Sequence, residues 1–227
     1  MVAQSKDTRA PGNRFDRNLL IATGIVGVLA VALSISAYWL SPFPGDLKLT
    51  LWFQSIHSNA LLKIMEWFSF IAGSWHAAVL VVIGCGILWW RVGRREAVLA
   101  AAAGLTTFVD FALKIIIGKL RPPSSLINVF VVVQGNGYPS GHAFFSMVFL
   151  GLMAYFAYNY ILNPAVRRTI VASLIVVILM IGLSRIYLGA HWPSDVLGGY
   201  LLGATFLGMF IWLDRKYNRK DVRVHQT

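Results

Sequence analysis

The sequence predicts an all-α fold: an integral membrane bundle of six transmembrane helices, with amphipathic interfacial helices between the first and second spans. Three observations support this prediction. Of the 227 residues, 57% are hydrophobic and 13% are charged, against roughly 45–50% and roughly 25% in soluble domains. Apolar runs of membrane-spanning length recur along the chain. The basic residues are also concentrated in alternate loops, as in multi-pass membrane proteins.

Six apolar runs approach the roughly 20 residues that a helix needs to cross about 30 Å of hydrocarbon. They are Leu19–Leu40, Trp75–Trp90, Ala97–Ile117, Ala143–Leu162, Thr169–Leu183 and Val196–Leu213. The first run has a basic flank and contains Ala30-Val31-Ala32, which resembles the cleavage site of a secretory signal peptide. Its 22 residues exceed the roughly 7–15 of a signal-peptide core, so we interpret it as a retained helix.

The distribution of charge predicts the orientation. A net charge of +11 would suggest a nucleic-acid partner in a soluble protein, but here the positive-inside rule explains it better, and no nucleic acid is expected. With a cytoplasmic N-terminus, 14 of the 20 Lys and Arg residues fall on the cytoplasmic side and 6 on the other. We therefore expect a multi-pass cell-membrane protein with both termini cytoplasmic. The single cysteine, Cys85, excludes an intrachain disulfide and a multi-cysteine metal site.

The predicted organisation has three parts. Residues 1–18 form a basic cytoplasmic N-terminus, residues 19–214 the membrane domain and residues 215–227 a basic cytoplasmic tail. Between the first two spans, Pro44–Gly73 has apolar residues at three- and four-residue spacing, which indicates one or two amphipathic helices in the outer interface. A short seventh membrane helix at Asn59–Ile71 is the alternative. We also consider Pro44–Gly73 a candidate side wall or gate through which lipid tails could enter a site at the outer ends of the later spans.

Polar residues that are costly inside a membrane collect at the outer ends of the third to sixth predicted helices. Charges within or at the edge of spans cost about 2.5–3.5 kcal/mol each on insertion scales, so they usually have a partner or a ligand. The candidates comprise three cations, two histidines, one acid and a helix start: Lys114, Arg121, Arg185, His142, His191, Asp195, Ser140 and Gly141. Because they come from separate stretches of chain, their convergence predicts a common site.

This combination of groups suits phosphoester hydrolysis. The cations fit a tetrahedral oxyanion, and Ser140-Gly141 at a helix start offers backbone N–H groups to an anion. A histidine held in one tautomer by a carboxylate can attack phosphorus. Asp195 follows His191 by four residues, so it can return beneath the imidazole if Pro193 opens the helix. A second histidine can protonate the leaving oxygen and then activate water. The mechanism needs no metal and no other cofactor.

Each side chain also has a simpler explanation when it is taken alone. Lys114 can pair with Asp110, four residues earlier on the same helix face. Arg121 and Arg185 can be interfacial anchors, Asp195 a first-turn acid, and Ser140 an N-cap. His142 alone fits an interfacial histidine. These explanations do not account for all the groups meeting at one end of the bundle.

At this point the motifs resemble those of a known family. Six residues separate Lys114 from Arg121-Pro122, Pro139-Ser140-Gly141-His142 follows, and Ser184-Arg185 precedes His191 and Asp195. In this order they resemble the three signature motifs of the type 2 phosphatidic acid phosphatase superfamily. The resemblance covers roughly Asp110 to Gly199 and implies a six-helix membrane phosphatase that acts on lipid phosphates.

The resemblance also implies a role for each matching residue. His191 would be the nucleophile that forms a phosphohistidine, Asp195 would orient it and balance its charge, and His142 would be the general acid. The phosphoryl oxygens would be bound by Lys114, Arg121, Arg185, Ser140 and Gly141. Members of similar size act on phosphatidylglycerophosphate or undecaprenyl pyrophosphate, and phosphatidate is a further candidate. An outward-facing site favours the isoprenoid diphosphate, since released carrier lipid must be recycled there.

Three alternative functions remain open. The same site could act as a phosphotransferase that passes the phosphoryl group to another acceptor. A vanadium-dependent haloperoxidase belongs to the wider superfamily, but the spans and the position of the site near the lipid argue against it. A non-catalytic protein that binds or transports a lipid phosphate would need only the cations, whereas this chain also has His142, His191 and Asp195.

Overall fold

The computed structural model describes the backbone of residues 11–224 and the side chains of residues 14–217. Parts of the predicted basic termini lie outside the described side chains, including Lys6, Arg9, Arg219, Lys220 and Arg223. The described chain is helical. The helices are α1 (Pro11–Trp39), α2 (Asp46–Gln54), α3 (Asn59–Ile71), α4 (Ser74–Arg91), α5 (Arg94–Leu105), α6 (Thr107–Ile117), α7 (Gly141–Phe145), α8 (Gly151–Tyr160), α9 (Pro164–Tyr187) and α10 (Pro193–Val224).

Six stretches are long and apolar enough to cross a membrane, which confirms the predicted number of spans. They are Arg14–Trp39, Ser74–Arg91, Arg94–Ile117, Gly141–Tyr160, Pro164–Tyr187 and Pro193–Tyr217. The third span is divided at Thr106 between α5 and α6, and the fourth joins α7 to α8 through a π-helical turn at Ser146–Leu150. The fifth begins at Pro164, earlier than Thr169, because Asn163 caps the helix and proline suits its first turn.

The fourth span is at the centre of the bundle. Half of its residues are buried, against 6% for the first span. Its inward residues Phe144, Val148, Leu152 and Phe156 contribute to a core cluster that also contains residues of α4, α5, α9 and α10. Helix α10 approaches the fourth span closely at Gly199. A Cβ added there would lie 2.6 Å from the Ser140 carbonyl oxygen. This contact sets the start of the fourth span directly beside the first turns of the sixth.

The two helices between the first and second spans differ in how they pack. Helix α3 has 13 residues, about 20 Å of helix, which is too short to span about 30 Å of hydrocarbon. It packs on α9 through Met65, beside Tyr187 and Leu188. The alternative of a seventh membrane helix at Asn59–Ile71 is therefore not supported, and the described spans number six.

Helix α2 has its polar face inside and its apolar face outside. Asp46, Thr50 and Gln54, spaced four residues apart, are buried, whereas Leu51 and Trp52 are 47% and 62% exposed. A helix beside lipid gains from this reversed arrangement, because the apolar side chains meet hydrocarbon and the polar ones must find partners within the protein. The polar face of α2 is thus available to the connections that carry the predicted site.

Candidate active site

The predicted site residues meet at one end of the bundle, opposite the end where α1 begins and α10 ends. Lys114 is near the end of the third span, Gly141 begins the fourth, Arg185 is near the end of the fifth, and His191 precedes the sixth. A cavity of about 700 Å³ is lined by six of the eight predicted residues: Lys114, Arg121, Gly141, His142, Arg185 and His191. The other two, Ser140 and Asp195, are fully buried next to them in the chain. The geometry therefore brings all eight together.

His191 has different partners on its two ring nitrogens. Nδ1 lies 2.7 Å from the carbonyl oxygen of Gly137, and Nε2 lies 3.1 Å from Nη1 of Arg121. A carbonyl oxygen can only accept and a guanidinium can only donate, so the proton is assigned to Nδ1 and the lone pair to Nε2. Arg121 also donates to the carbonyl oxygens of Gly135 and Ala190, at 2.9 and 2.8 Å. Nε2 is thus the nitrogen that can act as a nucleophile.

The surroundings keep His191 neutral. Burial lowers the pKa of its imidazole well below the ordinary value, and the positive charges of Arg185, Arg121 and Lys114 lower it further. The hydrogen bond to Gly137 acts in the opposite direction and does not outweigh these causes. Burial also lowers the pKa of Arg121, although a guanidinium remains charged throughout the physiological range. A neutral imidazole beside a permanent cation is suited to attack on an anionic phosphoryl group.

Asp195 lies beneath the imidazole, as its spacing predicts, but its main partners are different from those expected. Helix α10 does begin at Pro193, and Asp195 Oδ2 is 3.6 Å from His191 Nδ1. That distance is too long for a hydrogen bond, and Nδ1–H donates to the carbonyl oxygen of Gly137 instead. Oδ2 accepts from the backbone N–H of Trp192 at 2.9 Å. The tautomer is therefore fixed by a backbone carbonyl, and the carboxylate supplies charge nearby.

Lys114 and Asp110 form the ion pair that the sequence offers as a simpler explanation, but the pair lies in the cavity. Lys114 Nζ is 2.6 Å from Asp110 Oδ1 and 2.5 Å from the Pro139 carbonyl oxygen. A Cβ added at Gly141 would lie 2.6 Å from Asp110 Oδ2, so any larger residue here would displace the Asp110 carboxylate. The pair therefore connects the end of the third span to the start of the fourth.

Two buried polar atoms of the site have no hydrogen-bond partner among the residues that the structure describes. They are the hydroxyl oxygen of Ser140 and Nε of Arg185. Arg185 Nη1 donates to the hydroxyl of Ser69, which lies on α3. Ser140 precedes α7 without a side-chain cap, so the N-cap explanation does not account for its hydroxyl. Buried groups of this kind are costly unless a ligand supplies the missing partner.

Three residues that the sequence did not single out are part of this arrangement. Gly137 accepts from the histidine, Lys119 is fully buried and binds Asp195, and Asp46 reaches the same place from α2. The sequence carries a faint signal for two of them. Lys119 is a cation on the side depleted of cations, and Gly137 belongs to the Gly135-Asn136-Gly137 turn before the second motif. No local pattern connects Asp46 to residues almost 150 positions away.

A family model described as the PAP2 superfamily matches residues 95–219, more than half of the chain. The chain belongs to the PAP2 superfamily. This confirms the resemblance to type 2 phosphatidic acid phosphatases, and the matched range contains all three motifs. Helices α1 to α4, including the inward polar face of α2, precede it.

Several curated proteins are similar to this PAP2 protein. Phosphatidylglycerophosphatase B of Bacillus subtilis is 27% identical over 65% of this chain and 72% of its own length. Undecaprenyl-diphosphatase of Sulfolobus acidocaldarius is 27% identical over 48% of this chain and 54% of its own. Decaprenylphosphoryl-5-phosphoribose phosphatase of Mycobacterium tuberculosis is 36% identical over 49% and 58%. The chain thus spans little more than half the length of the last two.

Two solved structures share the fold. The PAP2-type phosphatidylglycerolphosphate phosphatase from Bacillus subtilis superposes with a TM-score of 0.76 at 22% identity, covering 86% of this chain and 96% of the other. LpxE from Aquifex aeolicus gives 0.60 at 20% identity, covering 77% and 98%. These matches confirm the all-α membrane fold of six spans. The protein is therefore a multi-pass membrane protein of a phosphatase family.

Proposed function

We propose that the protein is an integral membrane phosphatase that hydrolyses the phosphomonoester or diphosphate of a lipid at the extracytoplasmic face. The observation that carries the proposal is the single cavity in which both histidines face three cations, Lys114, Arg121 and Arg185. The unpartnered Ser140 hydroxyl and Arg185 Nε add two buried donors to the same region. A cavity so rich in donors and positive charge is matched to a tetrahedral anion.

In the first step, the Nε2 lone pair of His191 forms a bond to phosphorus while the bond from phosphorus to the leaving oxygen breaks. His142, as the imidazolium, gives its proton to that oxygen. The phosphorylated ring keeps its proton on Nδ1 and carries a positive charge. That charge is stabilised by the carbonyl of Gly137 at 2.7 Å and by the carboxylate of Asp195 at 3.6 Å.

In the second step, water attacks the phosphorus of the phosphohistidine. His142, now neutral, takes a proton from the water as its oxygen bonds to phosphorus, and the bond from Nε2 to phosphorus breaks. The products are inorganic phosphate and the original neutral His191. Throughout, Lys114, Arg121 and Arg185 hold the phosphoryl oxygens and stabilise the charge that moves onto them.

The shape of the cavity supports a lipid substrate. Beyond the polar residues, the cavity continues as an apolar groove between α4 and the third span, lined by small residues such as Ala77, Ala78 and Gly104. Its outer lining residues Val82, Leu105 and Phe111 are all more than half exposed, so the groove reaches the lipid-facing surface. Pro44–Gly73 contributes only Ala72 to this lining among the described residues. We therefore assign tail entry to the groove between the second and third spans instead of to that segment.

The orientation follows from charge. The described basic residues at the end of the bundle that carries the termini include Arg14, Arg17, Arg94, Arg95, Arg167, Arg168 and Arg215. The positive-inside rule places that end in the cytoplasm and the cavity on the outer side of the cell membrane. Among candidate lipids, undecaprenyl pyrophosphate is favoured by this location, with phosphatidylglycerophosphate and phosphatidate as the other members of the class.

The test is phosphate release by the purified protein from undecaprenyl pyrophosphate, phosphatidylglycerophosphate, phosphatidate and a sphingoid phosphate, each with and without EDTA. We expect release that survives EDTA, is abolished in His191→Ala and is retained in His57→Ala, since His57 is exposed and distant in the chain from all three motifs. Full activity of His191→Ala would exclude the mechanism. Transfer of phosphate to an added alcohol without release would favour the phosphotransferase, and binding without either product would favour a non-catalytic binder.

A further inference from the structure

A buried ion network lies behind His191, on the side away from the cavity. Lys119 has a fully buried side chain, and its Nζ is 2.8 Å from Asp195 Oδ1, 2.7 Å from Ser194 Oγ and 3.7 Å from Asp46 Oδ2. The rings of Phe43 and Tyr138 flank the ammonium, with centroids at 4.8 and 5.9 Å. We call Asp46, Lys119, Ser194 and Asp195 the rear network.

Asp46 holds the first turn of α10 from a distant part of the chain. Its Oδ1 accepts the backbone N–H of Ser194 at 2.9 Å, and its Oδ2 accepts the Ser194 hydroxyl at 2.7 Å. Oδ2 also accepts the backbone N–H of Phe43 at 2.9 Å, which fixes the carboxylate relative to the start of α2. Ser194 is thereby bound on both its backbone and its side chain, next to Asp195.

The same face of α2 holds the other side of the histidine loop. Gln54 Nε2 donates to the carbonyl oxygens of Asn128 and Tyr187, at 2.7 and 2.9 Å, and Gln54 Oε1 accepts from the Asn128 N–H at 3.0 Å. Tyr187 ends α9 and Ser194 is in the first turn of α10, so α2 binds both ends of the connection that carries His191. The polar face of α2 is therefore built to position this loop.

The charge balance of the rear network points to more than mechanical support. Two carboxylates share one ammonium within the rear network, and the remaining negative charge lies next to the cavity, where Asp195 also interacts with the positive charges of Arg121 and Lys114. The charge has a use when His191 is phosphorylated, because the ring then becomes positive 3.6 Å from Asp195. With Asp46 absent, Lys119 would neutralise Asp195 and less negative charge would face the ring.

We propose that Asp46 and Lys119 are positioning residues for the reaction, through which α2 fixes the place of Asp195 and tunes its charge towards His191. This inference rests on the proposed function. It assigns a role in the chemistry to a helix that precedes the matched family range and to two residues that never touch the substrate.

Asp46→Asn tests the charge with little change of shape. The amide oxygen can still accept from the Ser194 N–H, so the loop stays attached. The NH2 group that replaces Oδ2 can donate to Ser194 Oγ but no longer accepts from the Phe43 N–H, and one negative charge is removed. We expect kcat to fall about tenfold, equivalent to about 1.4 kcal/mol of transition-state stabilisation, with KM changed less than about twofold. Because the positive form of His191 is then less stabilised, the acid limb of kcat/KM should move to lower pH.

Lys119→Met removes the opposite charge and should have the opposite effect on pH. His191 is faced by Lys114 on α6, Arg121 in the following connection, His142 on α7, Arg185 on α9 and Asp195 on α10. Among these groups, the change affects Asp195, because the ammonium of Lys119 no longer offsets its negative charge. The electrostatic potential at the His191 ring therefore becomes more negative. The positive form of the ring gains stability, and the acid limb should move to higher pH.

The double variant distinguishes charge balance from general damage. Asp46→Asn lowers kcat in the wild-type background, but in Lys119→Met it removes a carboxylate that repels Asp195 within the same buried volume. We therefore expect the double variant to have a higher Tm and a higher kcat than Lys119→Met alone. The Tm comparison is decisive even where Lys119→Met is too poorly folded to assay.

A buried carboxylate at the other end of α10 provides the matched control. Asp214 is as buried as Asp46, binds Tyr155 Oη at 2.8 Å and lies near the cytoplasmic end of the sixth span. Asp214→Asn should lower Tm without moving the pH profile. The assay measures phosphate release from dioctanoyl phosphatidate and farnesyl diphosphate in detergent micelles, with Tm from thermal unfolding.

The outcomes separate the two proposals. The inference is supported if the wild type is active, if Asp46→Asn and Lys119→Met move the acid limb of kcat/KM in opposite directions, and if the double variant has a higher Tm and kcat than Lys119→Met. The inference is overturned if the wild type is active but Asp46→Asn and Lys119→Met have the same pH profile as Asp214→Asn. It is also overturned if the double variant loses kcat by the product of the two single losses. In either case the proposed phosphatase function still stands. A wild type that releases no phosphate overturns the proposed function, and the inference with it.

Discussion

The two ring nitrogens of His191 have different partners, and this difference decides which nitrogen can attack phosphorus. The Gly137 carbonyl accepts a hydrogen bond from Nδ1–H, and Arg121 donates one to Nε2. When substrate enters, its phosphoryl group can replace the histidine as the partner of Arg121, which frees the Nε2 lone pair. In the proposed mechanism, this arrangement leaves Nε2 as the attacking atom.

Substitution of His142 should slow hydrolysis more for a substrate with a poor leaving group than for one with a good leaving group. Without a general acid, an alkoxide must leave unprotonated, so His142→Ala should slow phosphate release from dioctanoyl phosphatidate by about 10² or more. Hydrolysis of p-nitrophenyl phosphate should fall much less, since its leaving group needs no proton. Steady-state kinetics on both substrates check the prediction, with His57→Ala as control. Equal losses on the two substrates would assign His142 to binding alone.

Substitution of Arg121 should move the pH profile. The pKa of His191 is lowered by burial and by nearby positive charges, so the neutral, reactive ring persists at pH values below the ordinary histidine range. Arg121→Gln removes one of those charges, which raises the pKa towards its ordinary value. The acid limb of kcat/KM should therefore shift to higher pH, alongside a lower maximum. A limb that stays in place or moves down would contradict the proposed electrostatics.

At the scale of helices, the spacing of residues predicted spans but not the partners of buried polar groups. Hydrophobic length identified six membrane helices, and the motifs identified eight residues that converge on one end. The spacing of Asp195 after His191 predicted a carboxylate beneath the ring. It could not show that Nδ1–H donates its hydrogen bond to the Gly137 carbonyl instead. Lys119 and Asp46 escaped notice because their contacts join distant parts of the chain, which local periodicity does not encode.

Helix α2 shows why amphipathic spacing alone is ambiguous in a membrane protein. The same alternation of polar and apolar residues fits a helix with either face towards the bundle. Asp46, Thr50 and Gln54 turn inward because the connections beside the cavity offer partners, while Leu51 and Trp52 turn outward to hydrocarbon. The direction of the helix is therefore decided by tertiary contacts.

The groove between α4 and the third span should select for lipid chains. Ala78 lines it, whereas the neighbouring Val79 does not. Ala78→Phe should raise KM for a long-chain phosphatidate about tenfold or more, equivalent to about 1.4 kcal/mol of lost binding, and leave KM for p-nitrophenyl phosphate unchanged. Val79→Phe is the matched control and should change neither. A long-chain KM unaffected by Ala78→Phe would place the tails elsewhere.

At the scale of the whole molecule, six spans bring four helix ends into one site, while the described start of α1 and end of α10 lie on the opposite side. Each part of the candidate site is attached to a different span, so the site is complete only once the bundle has assembled. The fourth span provides the centre, and α10 packs against its first turn through Gly199. In the proposed orientation, the positive-inside distribution of charge places this site on the extracytoplasmic side.

The proposed orientation can be tested by labelling single cysteines in intact cells. In a background where Cys85 is replaced by alanine, Lys48→Cys should react with a membrane-impermeant maleimide, because residue 48 is exposed at the cavity end of the bundle. Arg167→Cys, at the opposite end, should react only after the membrane is permeabilised. The reversed pattern would place the cavity in the cytoplasm.

The central claim is that His191 receives the phosphoryl group. The most direct measurement is rapid acid-free quenching of the wild type during turnover of ³²P-labelled dioctanoyl phosphatidate, followed by mass spectrometry of the labelled peptides. We predict an adduct that is stable in base, labile in acid and located on residue 191. A label on any other residue, or a pre-steady-state burst of product without a labelled histidine, would contradict the account.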